Sequence, residues 1–194
     1  MKKFYVPVVV LALAFVACSK DDDKKDTTPV VEAPKDSVVT YTNVNFSTKK
    51  GDATYGRAFS SLTGKVYRDS AIPDTMGKHI DVVFGYLGTS VLYFTSPNDA
   101  DLQSELGLTI KDATASVVTN YLAAGTMAKA KFDTITHAST LNALEVIGDD
   151  DSFSSSSLPH AVYFKNSKGK KGVIMVKTVS GDQNYVTADV KVEY

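Results

Sequence analysis

Residues 185–194 alternate along their length, with Val186, Ala188, Val190 and Val192 on one side and Thr187, Asp189, Lys191 and Glu193 on the other. Successive strand side chains point to opposite faces, so this period of two fits a strand with one buried and one wetted face. Two further apolar runs precede it, 161–165 and 173–179, joined by the glycine- and lysine-containing turn 166–172. Tight links join strands antiparallel, so the last third of the chain reads as plain antiparallel β structure.

The first third reads the same way. Residues 38–46 form a strand, with Val39 and Tyr41 and then Val44 and Phe46 as inward residues, and 49–52 make a turn. Residues 57–67 are strand-like around a bend at Gly64, and 69–79 are a loop punctuated by Pro73 and Gly77. Residues 80–87 and 91–95 form a hairpin across the link 88–90. In the middle, a short helix capped by Asn98 or Asp99 ends at Leu106 before Gly107. A longer helix is expected from Lys111 or Asp112 to Ala124, because Val117, Val118, Tyr121 and Leu122 share one helical face. Residues 127–136 alternate as a strand, Ser139 caps a helix over 140–147, and 149–157 form an acidic, serine-rich loop. This order excludes a regular βαβ repeat. The expected fold is mainly β (α+β), an antiparallel sheet or β-sandwich with a short helical insertion, in one domain over 38–194.

Ahead of that domain, Lys2 and Lys3 precede an apolar run over 4–17. At about 14 residues it suits a signal peptide and falls short of the ~18 that a spanning helix needs. The run ends at Phe15-Val16-Ala17-Cys18, and Cys18 is the only cysteine, which excludes an internal disulfide. These residues resemble the lipobox of bacterial lipoproteins, with Phe15 where that family usually carries leucine. The resemblance implies that residues 1–17 are a signal peptide, removed before Cys18, and that lipid is then attached to Cys18. Each buried CH₂ contributes roughly 0.8 kcal/mol, so several acyl chains anchor firmly. Residues 18–37 then form a tether: a charged block over 19–26 stays solvated, and Pro29 and Pro34 mark an extended spacer. Ser19-Lys20-Asp21-Asp22-Asp23 resembles the export signal of surface lipoproteins of the Bacteroidetes, which implies an outer-membrane location facing the exterior. A plain solvated tether is the other reading of the same residues. The strand at 80–87, the segment 96–98 and the C-terminal hairpin are loosely similar to small lipoproteins of that bacterial group, and the likeness brings no activity with it.

Charge narrows the partners. Removing Lys2 and Lys3 from the 21 basic residues leaves 19 against 22 acids, a formal −3. That offers no basic footprint for nucleic acid and no polybasic patch for anionic lipid. Chemical motifs are sparse. His79, His137 and His160 lack ligand spacing, so no metal or other cofactor is expected. No G-x-S-x-G surrounds the Ser154 to Ser157 run, and no P-loop precedes Gly64-Lys65. Asp149, Asp150 and Asp151 are a candidate cation loop, set against a solvated charge run. Asp followed by Ser or Thr and a small or apolar residue resembles the O-glycosylation signal of exported Bacteroidetes proteins. It occurs at Thr27, Ser37, Ser70 and Thr75, in expected tether or loop, and at Thr134, in an expected strand where it reads as coincidence.

These features favour a non-enzymatic surface module, held to the membrane by its lipid and binding a glycan, a peptide or another outer-membrane protein. Loops carry function in such scaffolds, so 69–79 and 149–158 are the interface candidates. The alternative is a surface glycan- or peptide-hydrolase whose paired acids are set by spatial separation rather than by sequence spacing.

Overall fold

In the computed structural model, residues 36–194 are described apart from Thr89, Ala123 and Ala124. The expected signal segment, Cys18 and Thr27 lie outside the described residues. Strands β1 (Val38–Ser47), β6 (Val117–Thr119), β8 (His160–Lys165), β9 (Lys171–Val179) and β10 (Tyr185–Glu193) form one sheet, in the order β1-β10-β9-β8-β6. Strands β2 (Ala58–Ser60), β3 (Lys65–Tyr67), β4 (Val82–Leu87), β5 (Val91–Thr95) and β7 (Phe153–Ser154) form the other, in the order β3-β2-β4-β5-β7. Neighbouring strands in both sheets pair antiparallel, and the sheets enclose one apolar layer as a β-sandwich.

That layer explains the alternation. Val186, Ala188, Val190 and Val192 of β10 all face it at 1% exposure or less. In β1 the inward phase switches between Tyr41 and Val44, where the register shifts at a bulge. Asn43 takes φ 55° there, a conformation Asn tolerates better than most residues. Its amide donates to Asp189 Oδ1 at 2.8 Å, and Lys177 Nζ bonds both Asn43 Oδ1 and Asp189 Oδ1 at 2.7 Å. At the centre, the Phe46 ring lies 5.2 Å from Phe94, 5.7 Å from Phe84 and 6.2 Å from Phe59, centroid to centroid. Full burial of a phenylalanine side chain contributes roughly 1.5–3 kcal/mol.

Both outer faces carry an apolar cover as well. On the first sheet, Ala161, Tyr163, Val173 and Met175 pack against Met127, Phe132, Ile135 and Leu141. On the second, Ala58 and Val83 pack against Leu102, Leu106, Leu108 and Ile110. Strands β8 and β9 are therefore buried on two sides, and their sequences read as continuous apolar runs.

The middle of the chain departs from its sequence reading in four places. The helix expected over 111–124 is the edge strand β6, paired to β8 through Val117, Val118 and Thr119. Those β-branched residues suit a pleated surface, and Asp112 at φ 55° breaks any helix before them. The strand expected over 127–136 is instead helix α1 (Lys129–Asp133) with its flanks. Phe132 and Ile135 are buried in this segment and Ala138 and Leu141 of the next helix continue the spacing of three, while Ala128 and Ala130 are exposed. The helix expected over 140–147 is α2 (Ala138–Asn142), with His137 rather than Ser139 at its N-cap; Ser139 lies in its first turn and its amide donates to Asp36 Oδ1 at 2.7 Å. The helix ending at Leu106 is one π turn, Leu102–Leu106, with Gly107 at φ 63° after it.

The outer side of β10 also differs from a wetted face. Lys191 is only 7% exposed, because the α1 segment covers it. Its ammonium donates to the carbonyls of Phe132 at 3.0 Å, Asp133 at 3.1 Å and Ile135 at 2.7 Å, and lies 5.0 Å from the Phe132 ring centre. It thereby meets the Asp133 and Ile135 carbonyls at and just beyond the end of α1, and adds to the Phe132 carbonyl, which also accepts from the Ile135 amide at 3.1 Å. Burial holds its pKa below the ordinary lysine value.

Candidate binding cleft

At the end of the sandwich where β1 begins and β10 ends lies a cleft of about 410 Å³. Small-molecule sites run to about 300–1,000 Å³. Asp81, just before β4, is 5% exposed and braces the floor. Its Oδ2 accepts from the Ser61 amide at 2.5 Å, and its Oδ1 accepts from Asn166 Nδ2 at 2.8 Å. Asn166 Oδ1 in turn accepts from the amides of Lys168 and Lys170, at 3.0 and 3.1 Å, and so shapes the 166–170 turn. One carboxylate thus ties the two sheets together through the turn of each.

Tyr41 forms a second wall. Its hydroxyl donates to the Ser61 carbonyl, and its ring lies over Gly64, where an added Cβ would stand 2.4 Å from a ring carbon. Gly64 also takes φ 67°, so glycine serves both the turn and the close approach. Burial, and then the charge on Asp81, raise the Tyr41 pKa and keep its hydroxyl protonated.

Two residues that line it, His79 and Glu193, each keep one side-chain atom, Nδ1 and Oε1, sealed from solvent without a hydrogen-bond partner. The second oxygen of Glu193 accepts from the Lys171 amide at 3.0 Å, which fixes the carboxylate. Such atoms are uncommon in folded proteins, since an unmet buried polar group costs about 1–3 kcal/mol. Lys78, Lys168 and Lys170 stand around the same opening. Lys170 Nζ is 5.7 Å from the centre of the Tyr194 ring, and Tyr194 remains 67% exposed. The Tyr194 amide donates to the Ser37 carbonyl at 3.0 Å, so the chain reaches β1 beside this cleft.

The loop 69–79 supplies Lys78 and His79 to this cleft. The loop 149–158 lies elsewhere, partly along a second groove of about 430 Å³ that Tyr121, Ile147 and Asp151 help to line. Asp149 is a structural staple there. Its Oδ1 accepts from the Asn120 amide at 2.9 Å and from Asn120 Nδ2 at 3.2 Å, and its Oδ2 accepts from the Tyr121 amide at 2.9 Å. Asp150 and Asp151 are exposed, and among the described residues no group of three or more His, Cys, Asp or Glu is placed to hold a metal ion. Asn120 also clasps the edge of β5, donating to the Phe94 carbonyl at 2.8 Å and accepting from the Phe94 amide at 2.7 Å.

Ser70 and Thr75 are exposed on their loop, whereas the Ser37 hydroxyl is enclosed in the folded domain. Thr134 is exposed at the end of α1 rather than in a strand, and its hydroxyl donates to the Lys131 carbonyl at 2.8 Å. His137 is exposed, with Nδ1 3.5 Å from Asp36.

His160, by contrast, is 5% exposed and stacked on Phe153, centroids 4.2 Å apart. Its Nε2 lies 2.7 Å from the Asn120 carbonyl and is therefore the protonated nitrogen. Burial lowers its pKa from 6.5, against the raising effects of the Asn120 carbonyl and Asp149. The unfolded chain then binds a proton below pH 6.5 that the folded chain resists, so stability falls as pH drops from about 6.5 and levels off below the folded pKa. His160→Gln keeps a donor for Asn120 and removes this titration. Urea unfolding between pH 7.5 and 5.5 is expected to show a steeper loss for the parent than for the variant; parallel losses would assign the pH dependence to other groups.

No protein-family model matches this chain, and no match was found among curated proteins or solved structures.

Proposed function

We propose that this protein is an outer-membrane lipoprotein of the Bacteroidetes type, anchored by lipid on Cys18 and facing the exterior. Its β-sandwich is a non-enzymatic binding module. The observation that carries the binding reading is the cleft of about 410 Å³ at one end of the sandwich, braced by Asp81 and bordered by Tyr41, Lys78, Lys168 and Lys170. Phe15-Val16-Ala17-Cys18 and the charged block after it support the address.

One observation favours the hydrolase alternative, since Asp81 and Glu193 line one cleft. Glycoside hydrolysis needs one carboxyl group free to hand over a proton. Both oxygens of Asp81 are occupied by amide donors, which suits a brace better than an acid.

The address has a direct test. Acyl chains should carry the native protein into the detergent phase of Triton X-114, and Cys18→Ser should move nearly all of it to the aqueous phase. Equal partitioning of the two would end the lipid-anchor reading. Mass spectrometry of the same native preparation is expected to find sugar on the peptide bearing Ser70 or Thr75, whose side chains an enzyme can reach on the folded domain. Unmodified peptides would remove glycosylation from the proposal.

A further inference from the structure

We infer that the protein pairs with a second copy of itself through the open edge of β1. The two strands run antiparallel about a twofold axis at Thr40 and join the two first sheets into one. The inference concerns a strand edge and does not depend on what the cleft binds.

The four sheet edges differ in how far they are guarded. β3 and β6 have three residues each and β7 has two. The outer side of β6 is covered by residues 147–149, with the Asp149 amide on the Val118 carbonyl at 3.1 Å and the Ile147 amide on Thr119 Oγ1 at 3.0 Å. β3 carries an exposed lysine, Lys65. Short, covered or charged edges are the usual defences against unwanted pairing. β1, in contrast, runs ten residues with no charge, no proline and no glycine. Among the described residues its only strand partner is β10, and on its other side only Phe46, past the bulge, bridges Gly56.

The phase of the β1–β10 ladder shows what the stretch before the bulge offers. Bonded pairs alternate with unbonded ones in an antiparallel ladder. The Tyr194 amide bonds the Ser37 carbonyl, so Val39 and Tyr41 also face β10, while Val38 and Thr40 turn their N–H and C=O groups outward. Thr40 and Thr42 are exposed, and a groove of about 480 Å³ bordered by Thr40, Tyr41, Gly64 and Val66 leaves room beside them.

This edge is complementary to itself. With the two Thr40 residues opposite each other, their outward amides and carbonyls close two hydrogen bonds. Val38 then faces Thr42 of the other copy, and Val39 faces Tyr41. Threonine pairs and aromatic–β-branched pairs are favourable across strands, and no like charges meet within the pairing. The two Val38 residues come to lie about 14 Å apart, at ~3.4 Å per residue along the strands. Both copies can therefore run their leading segments, 18–37, to one lipid surface, as the proposed anchor on Cys18 requires. A strand contact is smaller than the ~1,200–2,000 Å² of a stable interface, and holding both copies on one surface raises their effective concentration.

The test uses the purified full-length protein, in phosphatidylcholine vesicles for cross-linking and in density-matched detergent micelles for sedimentation equilibrium. In vesicles, Thr40→Cys should form an intermolecular disulfide about tenfold faster than Ser152→Cys, an exposed loop control, because a bonded antiparallel pair holds its Cα atoms ~5.5 Å apart, within disulfide reach. The parent, with Cys18 alone, is the blank. In micelles the parent should show a monomer–dimer equilibrium. Thr40→Lys sets two ammonium groups face to face and should raise the dissociation constant about tenfold or more. Both variants change an exposed side chain, and thermal melts check that they fold. A parent that stays monomeric at every loading, or Thr40→Cys linking no faster than Ser152→Cys, overturns the inference. A dimer indifferent to Thr40→Lys places the contact elsewhere and overturns it too. A monomer whose Thr40 amide still resists hydrogen exchange gives the edge to the chain's own leading segment. A monomer in which only an added synthetic strand peptide protects that amide gives the edge to another protein. Either result ends the second-copy inference.

Discussion

Replacing Arg57 with alanine should cost about 3–5 kcal/mol of folding stability, the range for breaking a buried ion pair from one side. Arg57 and Asp69 have side chains only 3% and 13% exposed. The guanidinium holds the carboxylate through Nε, at 3.0 and 3.1 Å, and through Nη2 at 2.5 Å. Nη2 also reaches the Leu106 carbonyl at 2.8 Å. Alanine would leave Asp69 with the Gly51 amide, at 2.8 Å, as its remaining partner and would strip the Leu106 carbonyl of this donor. Natural domains hold only about 5–15 kcal/mol in total, so the variant should approach or cross its unfolding threshold. A urea titration that places the two proteins within about 1 kcal/mol would contradict this, since that is the range of a surface pair. The site matters to the cleft too, because Asp69 opens the loop that carries Lys78 and His79.

Lys191→Ala is expected to cost about 3 kcal/mol, as the Asp133 and Ile135 carbonyls lose this donor, the Phe132 carbonyl falls back on the Ile135 amide, and an unmet buried polar group costs about 1–3 kcal/mol. The stem of Lys191 also packs under the α1 segment. Lys191→Met separates the two contributions, since it keeps most of the stem and removes the ammonium. It should cost less than alanine, and in both variants amide hydrogen exchange should accelerate in 129–136 before it does in β9 or β10. Unchanged exchange in that segment would show that the helix does not depend on this lysine.

The hairpin of β4 and β5 and the run from β8 to β10 are legible in the chain because each spans enough residues to set a period. Val186 to Val192 alternate over a full face, and Ala161 to Phe164 read as unbroken apolar chain because helices cover their second side. The stretch from 111 to 142 is not legible in the same way. Strand β6 has three residues and helices α1 and α2 have five each, too few for spacing to separate a period of 2 from one of 3.6. Tertiary pairing decided there: Val117 to Thr119 found β8, and Phe132 and Ile135 found the outer face of β9. The cleft was hidden for a different reason. Asp81 and Asn166 are 85 positions apart, and no local pattern links them. One signal was available, because Asp81 interrupts an apolar run between Ile80 and Val82, where a charge must be met by partners. Lys191 gave no such signal, since a lysine in an alternating strand looks solvated until a helix is laid over it.

The Ser37 to Tyr194 bond has a mechanical consequence. The chain comes into β1 where Val38 faces Glu193, at the same end as the cleft. A molecule held in that cleft while the chain ahead of Ser37 is held would load the domain across this corner. Tension would pass from Ser37 into the last residues of β10, while the phenylalanine cluster around Phe46 would carry little of the force. If Cys18 carries lipid and the cleft a ligand, as proposed, the domain can be tugged between the two without being pulled through its middle.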